Sequence, residues 1–230
     1  MDSKDFSLFL KHYSTQPIQV LDTTIPSTAY IAIHISSINP DLKTFDINSS
    51  GDWENYIYAY LQKNNKSVAY GGYLEQRDIY KRSKTFNQDQ PDTARNIHLG
   101  IDLWTDAGAK VLAAFDGEIH SFKNNTNWGD YGPTIILKHQ IDSIEFFTLY
   151  GHLSLESLKH LEVGKTIKQG EIIGYLGTAL VNGDYAPHLH FQLIKDIQNN
   201  KGDYPGVASV SDIEFYKENC PDPNLVLKLS

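Results

Sequence analysis

From residue 97 to residue 194 the chain alternates between short runs of β-branched and aromatic residues and clusters of turn residues. Seven of these runs are predicted to be strands, at residues 99–104, 110–115, 117–122, 134–139, 145–149, 172–176 and 188–194. Asp116-Gly117 is predicted to form a tight hairpin turn. The 12% aromatic content, with 14 tyrosines, also favours strands over helices. The pattern therefore predicts a β-rich fold for this part of the chain.

The first 90 residues differ because two stretches show helical spacing. We expect Ser3 to cap one helix and Asp52 to cap a second. The apolar positions are Phe6, Phe9, Leu10 and Tyr13 in the first helix and Trp53, Tyr56, Ile57, Tyr60 and Leu61 in the second. Residues 30–35 and 67–73 are expected to form strands. This spacing predicts an α+β N-terminal region at residues 1–90, followed by a domain at residues 91–230.

The predicted boundary at residues 88–94 is too short to let the N-terminal region move far from the β domain. Two amphipathic helices also need an apolar surface to cover, and so few residues make a poor core alone. We therefore expect the N-terminal region to pack on the β core. The alternative is a separate small domain.

The charge of the chain excludes two classes of partner. With a net charge of −8 and no run of Lys and Arg, the protein is expected to bind neither nucleic acid nor an anionic membrane. The opening of the chain has no apolar stretch of signal-peptide length, which predicts a cytoplasmic protein, or a periplasmic or extracellular one if a signal was removed. A single cysteine, Cys220, excludes a disulfide framework and a cysteine-rich zinc site. The oligomeric state stays open.

Two short motifs place metal-binding side chains on single faces of strands. His98 and Asp102 are four residues apart, and His188 and His190 are two apart, so each pair shares a face if it lies on a strand. Leu189 would then face a core on the opposite side. Imidazole nitrogen and carboxylate oxygen are common zinc ligands. The His98–Asp102 spacing is common by chance, whereas the His188–His190 pair is a metal signal that needs a third ligand, which Asp102 or His98 would supply.

A further histidine, His152, follows Gly151 at the end of a predicted strand. Taken together, the His98–Asp102 pair, His152 and the His188–His190 pair resemble the motifs of the lysostaphin-type zinc metallopeptidases, in the same order and spacing. The resemblance extends through the strand and turn at residues 108–117, the hairpin from residue 131 and the turns at residues 163–177, and covers roughly residues 97–194.

The resemblance implies an antiparallel β-sheet core, one zinc ion and a peptidase activity. It makes His98, Asp102 and His190 the zinc ligands, and it places His152 and His188 beside a zinc-bound water whose attack they assist. The chain has no HExxH helix, so no glutamate takes the part of the base. The implied substrates are peptides, with peptides of the bacterial cell wall as the family's usual class.

Several positions depart from the family and leave the substrate open. Gln192 stands where an acid is common, and its place on the face of His190 predicts a contact with the ligand histidines. The stretch at residues 178–186 is longer than in the better-known enzymes of the family, and the tail from residue 202 extends beyond the common domain. A hydrolase acting on a non-wall peptide or amide, and a non-catalytic binding or regulatory module, therefore remain alternatives. His120 and His139 are expected at a sheet surface, and Cys220 as an inert thiol.

Overall fold

A single large β-sheet forms the centre of the molecule. The computed structural model describes residues 3–13, 15–86, 90 and 92–230, with Ser3 described by its backbone only. The strands are β1 Tyr30–Ala32, β2 Val68–Gly71, β3 Ile97–His98, β4 Ile101–Trp104, β5 Lys110–Leu112, β6 Gly117–Asn125, β7 Gly132–Ile141, β8 Ile144–Gly151, β9 Thr166–Ile167, β10 Ile172–Tyr175, β11 His188–Ile194 and β12 Val207–Ala208. The α-helices are α1 Ser3–Tyr13, α2 Ser50–Asn64, α3 Ile213–Asn219 and α4 Asn224–Leu227. Short 3-10 segments lie at Ser27–Ala29, Pro40–Lys43, Asp78–Arg82, Lys84–Phe86 and Leu155–Leu158.

Eight strands pair in the order β1-β2-β4-β11-β8-β7-β6-β9. All neighbours run antiparallel except β1 and β2, which are parallel at one edge. Two smaller ribbons pair β10 with β5 and β12 with β3. The expectation of a mainly β protein with a large antiparallel sheet is thus confirmed.

The two faces of β11 carry opposite chemistry. Leu189, Phe191 and Leu193 are fully buried in the main apolar core, as their alternation with the histidines predicts. His188 and His190 point to the other face, together with Gln192. The central strand therefore separates an apolar core from a polar site.

Helix α1 covers the apolar face of the sheet. Phe6 and Leu10 are fully buried in the main core, and Phe6 contacts the ring of Phe146 with 5.6 Å between centroids. Phe9 and Tyr13 pack against the same cluster, so all four predicted apolar positions of this helix face the core. The cap predicted at Ser3 involves a side chain outside the described part.

Helix α2 packs on the opposite side, where the histidines lie. The cap predicted at Asp52 is wrong: the Oγ of Ser49 accepts a hydrogen bond from the backbone N–H of Asp52 at 3.1 Å, so the helix begins earlier. Trp53, Ile57 and Leu61 are buried in a second apolar cluster. That cluster also contains Ile79, Tyr80, Phe86, Trp104 and Tyr185, residues from the N-terminal region and from the strands and loops beyond residue 97.

The hairpin predicted at Asp116-Gly117 is wrong. Strand β5 pairs with β10 and strand β6 pairs with β7, so the turn connects two different sheets. The tight hairpin turn lies instead at Asp142-Ser143 between β7 and β8, where both residues have positive φ values of 48° and 68°. Gly117 is needed for another reason, because a Cβ there would collide with the carbonyl oxygen of Lys138.

The N-terminal region also contributes strands to the sheet. Strand β2 pairs with β4, so residues before and after position 90 share one hydrogen-bonded ladder. The division of the chain at residue 90 stays a prediction, and residues 88, 89 and 91 of the proposed boundary fall outside the described part. No helix in the described part is long and apolar enough to cross a membrane.

His139 is buried, which corrects its expected position at a sheet surface. Its Nδ1–H donates to the carbonyl oxygen of Asp116 at 2.9 Å, and its Nε2 lies 2.8 Å from the hydroxyl of Thr148. The rings of Phe115 and Phe146 enclose the imidazole. Burial lowers the pKa of His139 from 6.5 to about 4.

The low pKa of His139 should make the free energy of unfolding depend on pH in the acidic range. Between pH 6.5 and about 4 the unfolded chain protonates this histidine and the folded chain does not. The neutral His139 contributes fully to the free energy of unfolding above pH 6.5, and this contribution is lost as the pH falls towards 4. The loss amounts to at most about 1.4 kcal/mol per pH unit. His139→Gln cannot titrate, so its free energy of unfolding in urea should fall less steeply over this range. The exposed His12→Gln is the control with a wild-type slope; a wild-type slope in His139→Gln would contradict the assignment.

Candidate metal centre

The pairing of three central strands determines the position of the site. His190 on β11 lies opposite Asp102 on β4 and, on its other side, opposite Gly151 at the end of β8. His152 follows Gly151 immediately and has a positive φ of 63°, so the chain turns there at the same end of the sheet. Residues far apart in the sequence thus meet at neighbouring positions of one ladder.

Three side chains direct ligand atoms to one point. His98 Nε2 is 2.8 Å from His190 Nδ1 and 3.2 Å from Asp102 Oδ1, and His190 Nδ1 is 3.1 Å from the same Asp102 oxygen. All three residues are at most 2% exposed. They form the one group of potential metal ligands found among the described residues, with ligand atoms within 4.8 Å of one another.

Both imidazoles turn an unprotonated nitrogen towards that point. His98 Nδ1 lies 3.0 Å from the carbonyl oxygen of Gly72, which can only accept, so Nδ1 carries the proton and Nε2 has a free lone pair. His190 Nε2 lies 2.9 Å from Gln192 Oε1 and donates to it, which leaves Nδ1 free. Without a bound cation, two lone pairs and a carboxylate oxygen at these distances would repel one another. The donor set therefore fits a metal ion.

The C-terminal extension holds Gln192 in place. Its amide nitrogen donates to the carbonyl oxygen of Pro205 at 3.1 Å and to the sulfur of Cys220 at 3.2 Å. The predicted contact between Gln192 and His190 is present in the structure. Burial raises the pKa of the Cys220 thiol to about 12, so this cysteine is a buried hydrogen-bond partner and not a nucleophile.

His152 and His188 form a second pair beside the ligand atoms. Their ring centroids are 4.2 Å apart. His152 Nδ1 donates to the carbonyl oxygen of Asn182, and His188 Nδ1 donates to that of Ala186, each at 2.7 Å. Both Nε2 atoms are therefore free to accept a proton. The ring of Trp104 stacks on His188 at 5.7 Å and limits its rotation.

The charge state of the site follows from its burial. Burial lowers the pKa of His98 to about 3, with the positive charge of Arg77 acting in the same direction. Burial also lowers the pKa of His152 well below its usual range, and that of His188 to a lesser degree. Burial by itself would raise the pKa of Asp102, but the adjacent His98 and Arg77 hold it well below the ordinary value. At neutral pH these three imidazoles are neutral and the carboxylate is ionised.

Arg77 is the site residue that sequence reasoning missed. Its Nη1 donates to Asp102 Oδ2 at 2.5 Å, and its Nε donates to Glu75 Oε2 at 2.8 Å. The segment that carries Arg77 runs close to His98, whose backbone N–H donates to the carbonyl oxygen of Glu75 at 3.0 Å. The surrounding residues 75–95 are polar and charged, and nothing in the pattern separates this arginine from its neighbours.

A cavity opens onto the five candidate side chains, and much of its wall comes from the N-terminal region. The wall includes Trp53, Ile79, Tyr80 and Phe86 from that region, with Tyr131, Tyr185 and Tyr204 from later loops. The side chain of Asp184 links the two sides: its oxygens accept from Ser50 Oγ at 2.6 Å and from Trp128 Nε1 at 3.1 Å. Its backbone carbonyl accepts from Arg82 at 2.6 Å. These contacts join α2 to the loop before β11.

This chain is similar to several solved structures, including two that are described as peptidases. The catalytic domain of the antimicrobial peptidase lysostaphin from Staphylococcus simulans is 25% identical, with 67% of this chain and 94% of that chain covered and a TM-score of 0.40. A variant of the catalytic domain of the prophage-encoded M23 protein EnpA from Enterococcus faecalis is 22% identical, with 49% of this chain and 79% of that chain covered and a TM-score of 0.38. A zinc-containing peptidase from Vibrio cholerae is 28% identical, with 47% of this chain and 30% of that chain covered and a TM-score of 0.35.

The similarity to a peptidase family depends on the match of the sequence itself. No curated protein matches the chain. Residues 96–203 match Peptidase family M23. This segment contains all five candidate side chains, including both histidine motifs. Residues 96–203 are thus similar to peptidase family M23, and this match confirms the resemblance to the lysostaphin-type enzymes.

Proposed function

We propose that this protein is a zinc-dependent peptidase in which His98, Asp102 and His190 hold the metal. The observation that carries the proposal is the convergence of two imidazole lone pairs and one carboxylate oxygen within 3.2 Å of one another. Two neutral imidazoles and one carboxylate would leave a zinc site with a net charge of +1 and a position for water. When bound, zinc supplies the Lewis acidity that activates water and polarises the scissile carbonyl.

His152 and His188 would move the protons of the reaction. Each carries its own proton on Nδ1, where a backbone carbonyl holds it, so each can take a proton at Nε2 from the attacking water. Water adds to the carbonyl carbon, the C–N bond breaks, and the proton passes to the leaving amine. The lowered pKa values favour return of the proton to the amine, because the buried imidazolium is unfavourable. This arrangement favours catalysis over a non-catalytic binding module.

The enclosure of the site favours short peptides over the cross-linked cell wall. All five side chains are between 1% and 6% exposed. The wall formed by Trp53, Tyr80 and Phe86, joined to the opposite loop through Asp184, closes one side of the cavity. A polymer with branches on both sides of the scissile bond needs an open groove. We therefore propose short free peptides, or small amides, as the substrate class, with wall-derived fragments included.

The ligand assignment predicts loss of metal. His98→Ala, Asp102→Ala and His190→Ala should each release most of the zinc, because each removes one of three protein ligands. Zinc per chain is measured by elemental analysis after dialysis against a weak chelator, with the exposed His12→Ala as control. A variant that keeps one zinc per chain shows that its residue is not a ligand.

The proton-transfer assignment predicts the opposite pattern. His152→Ala and His188→Ala should retain zinc and lose roughly 10²–10⁴-fold in kcat, the usual contribution of general acid–base catalysis. The comparison is made on a fluorogenic peptide at saturating substrate, together with the zinc content of each variant. Near-normal turnover in either variant would remove that histidine from the mechanism.

The enclosure predicts a size limit on substrates. The enzyme should hydrolyse di- and tripeptides, short glycine peptides and isolated muropeptides, and it should release no fragments from intact cross-linked sacculi. Asp184→Gly removes the carboxylate that joins the two walls and tolerates the positive φ of 68° at this position. This variant should gain rate on longer peptides relative to dipeptides, with unchanged zinc content. Efficient cleavage of intact sacculi by the wild-type enzyme would refute the size limit.

A further inference from the structure

The two oxygens of the Asp102 carboxylate have different partners. Its Oδ1 faces the lone pairs of His98 and His190 at 3.2 and 3.1 Å. Its Oδ2 accepts the hydrogen bond from Arg77 Nη1 at 2.5 Å. A carboxylate can offer a metal one oxygen or both. Here one oxygen is already engaged by a buried cation.

Arg77 is itself held on its far side. Glu75 Oε2 accepts from Arg77 Nε at 2.8 Å, and Glu75 Oε1 accepts from the backbone N–H of Ile35, also at 2.8 Å. The side chains of Arg77 and Glu75 are 4% and 6% exposed. The guanidinium also lies over the ring of Trp104, 5.7 Å from its centroid. This chain of contacts runs from the backbone near β1 to the metal site.

The contacts need an arginine. A guanidinium presents Nε and Nη in a rigid planar fork, so one side chain can bond two carboxylates in fixed directions at once. A lysine ammonium offers a single charged point and cannot hold Glu75 and Asp102 in the same geometry. Gly72 leaves the space for this head group, because a Cβ there would collide with Arg77 Nη2. Gly72 and Glu75, which precede the segment that matches the family, thus both accommodate the side chain of Arg77.

We propose that Arg77 is a positioning residue that keeps Asp102 Oδ2 away from the metal, so that Asp102 binds with Oδ1 alone. This role extends the proposed metal site and depends on it. By withholding one oxygen, Arg77 keeps a coordination position free for water and substrate. Its charge also draws electron density from the carboxylate, which leaves the metal the stronger Lewis acid. Arg77 contacts neither the metal nor the substrate and acts through Asp102.

The test compares Arg77→Gln with the wild-type protein, using zinc for affinity and activity and cobalt(II) for its absorption spectrum. In the variant both oxygens of Asp102 can reach the metal. Zinc should therefore be retained, kcat should fall roughly 10–100-fold with KM little changed, and the visible absorption per cobalt should weaken as the coordination number rises. Arg82→Gln is the matched control, since Arg82 is a buried arginine of the same segment that contacts Asp184 and not Asp102. Its cobalt spectrum should be that of wild type.

Further variants keep the test decisive if Arg77→Gln does not fold. Arg77→Lys retains the charge without the fork, and Glu75→Gln weakens the hold on Arg77 from outside; both should change the cobalt spectrum in the same direction. Wild-type spectra and kcat in the Arg77 variants overturn the positioning role alone. Loss of zinc with normal turnover per bound zinc would show a structural role only and overturn it too. A wild-type protein that binds neither zinc nor cobalt overturns the proposed function and this role together.

Discussion

The alignment of β4, β11 and β8 is the constraint on which the rest of the molecule depends. It places His190 between Asp102 and Gly151, and it sends Leu189 and Phe191 to the opposite face. Because side chains alternate along a strand, a slip of one residue would move the histidines into the apolar core and the leucines into the cavity. The large energetic difference between these two arrangements specifies the register. Core packing and site geometry are therefore two results of the same pairing.

Most polar groups buried at the site have a hydrogen-bond partner, although Arg77 Nη2 has none among the described residues. The backbone carbonyls of Gly72, Asn182 and Ala186 accept the outer protons of three imidazoles, and an unpaired buried polar group would cost roughly 1–3 kcal/mol. Asp102 forms an ion pair with Arg77, and Arg77 forms a second ion pair with Glu75. Two of these partners, Gly72 and Arg77, precede the segment that matches the family. The N-terminal region is thus part of the site as well as its cover.

The local motifs were predictable because strand periodicity is a local property. The spacing of His188 with His190 places both side chains on one face of β11 before any tertiary contact is known. His98 and Asp102 do not share a strand as predicted, because β3 ends at His98 and Asp102 lies on β4. That these pairs meet depends on strand pairing, which the resemblance to a known family supplied. Arg77, the burial of His139 and the turn at Asp142-Ser143 depend on contacts or backbone angles that spacing does not encode. The N-cap of α2 was misplaced by three residues, from Ser49 to Asp52, because both residue types are good caps.

The main sheet has unequal strands, and the shortest are at its margins. Strand β1 at one margin has three residues, and strand β9 at the other has two, whereas β7 in the interior has ten. A long outer strand presents a row of free backbone N–H and C=O groups on which another polypeptide can add. Here the outer ladders end after two or three residues, which is too short for stable addition. The margins of this sheet therefore offer few backbone groups on which a strand of another chain could add, and the longest strands lie in its interior.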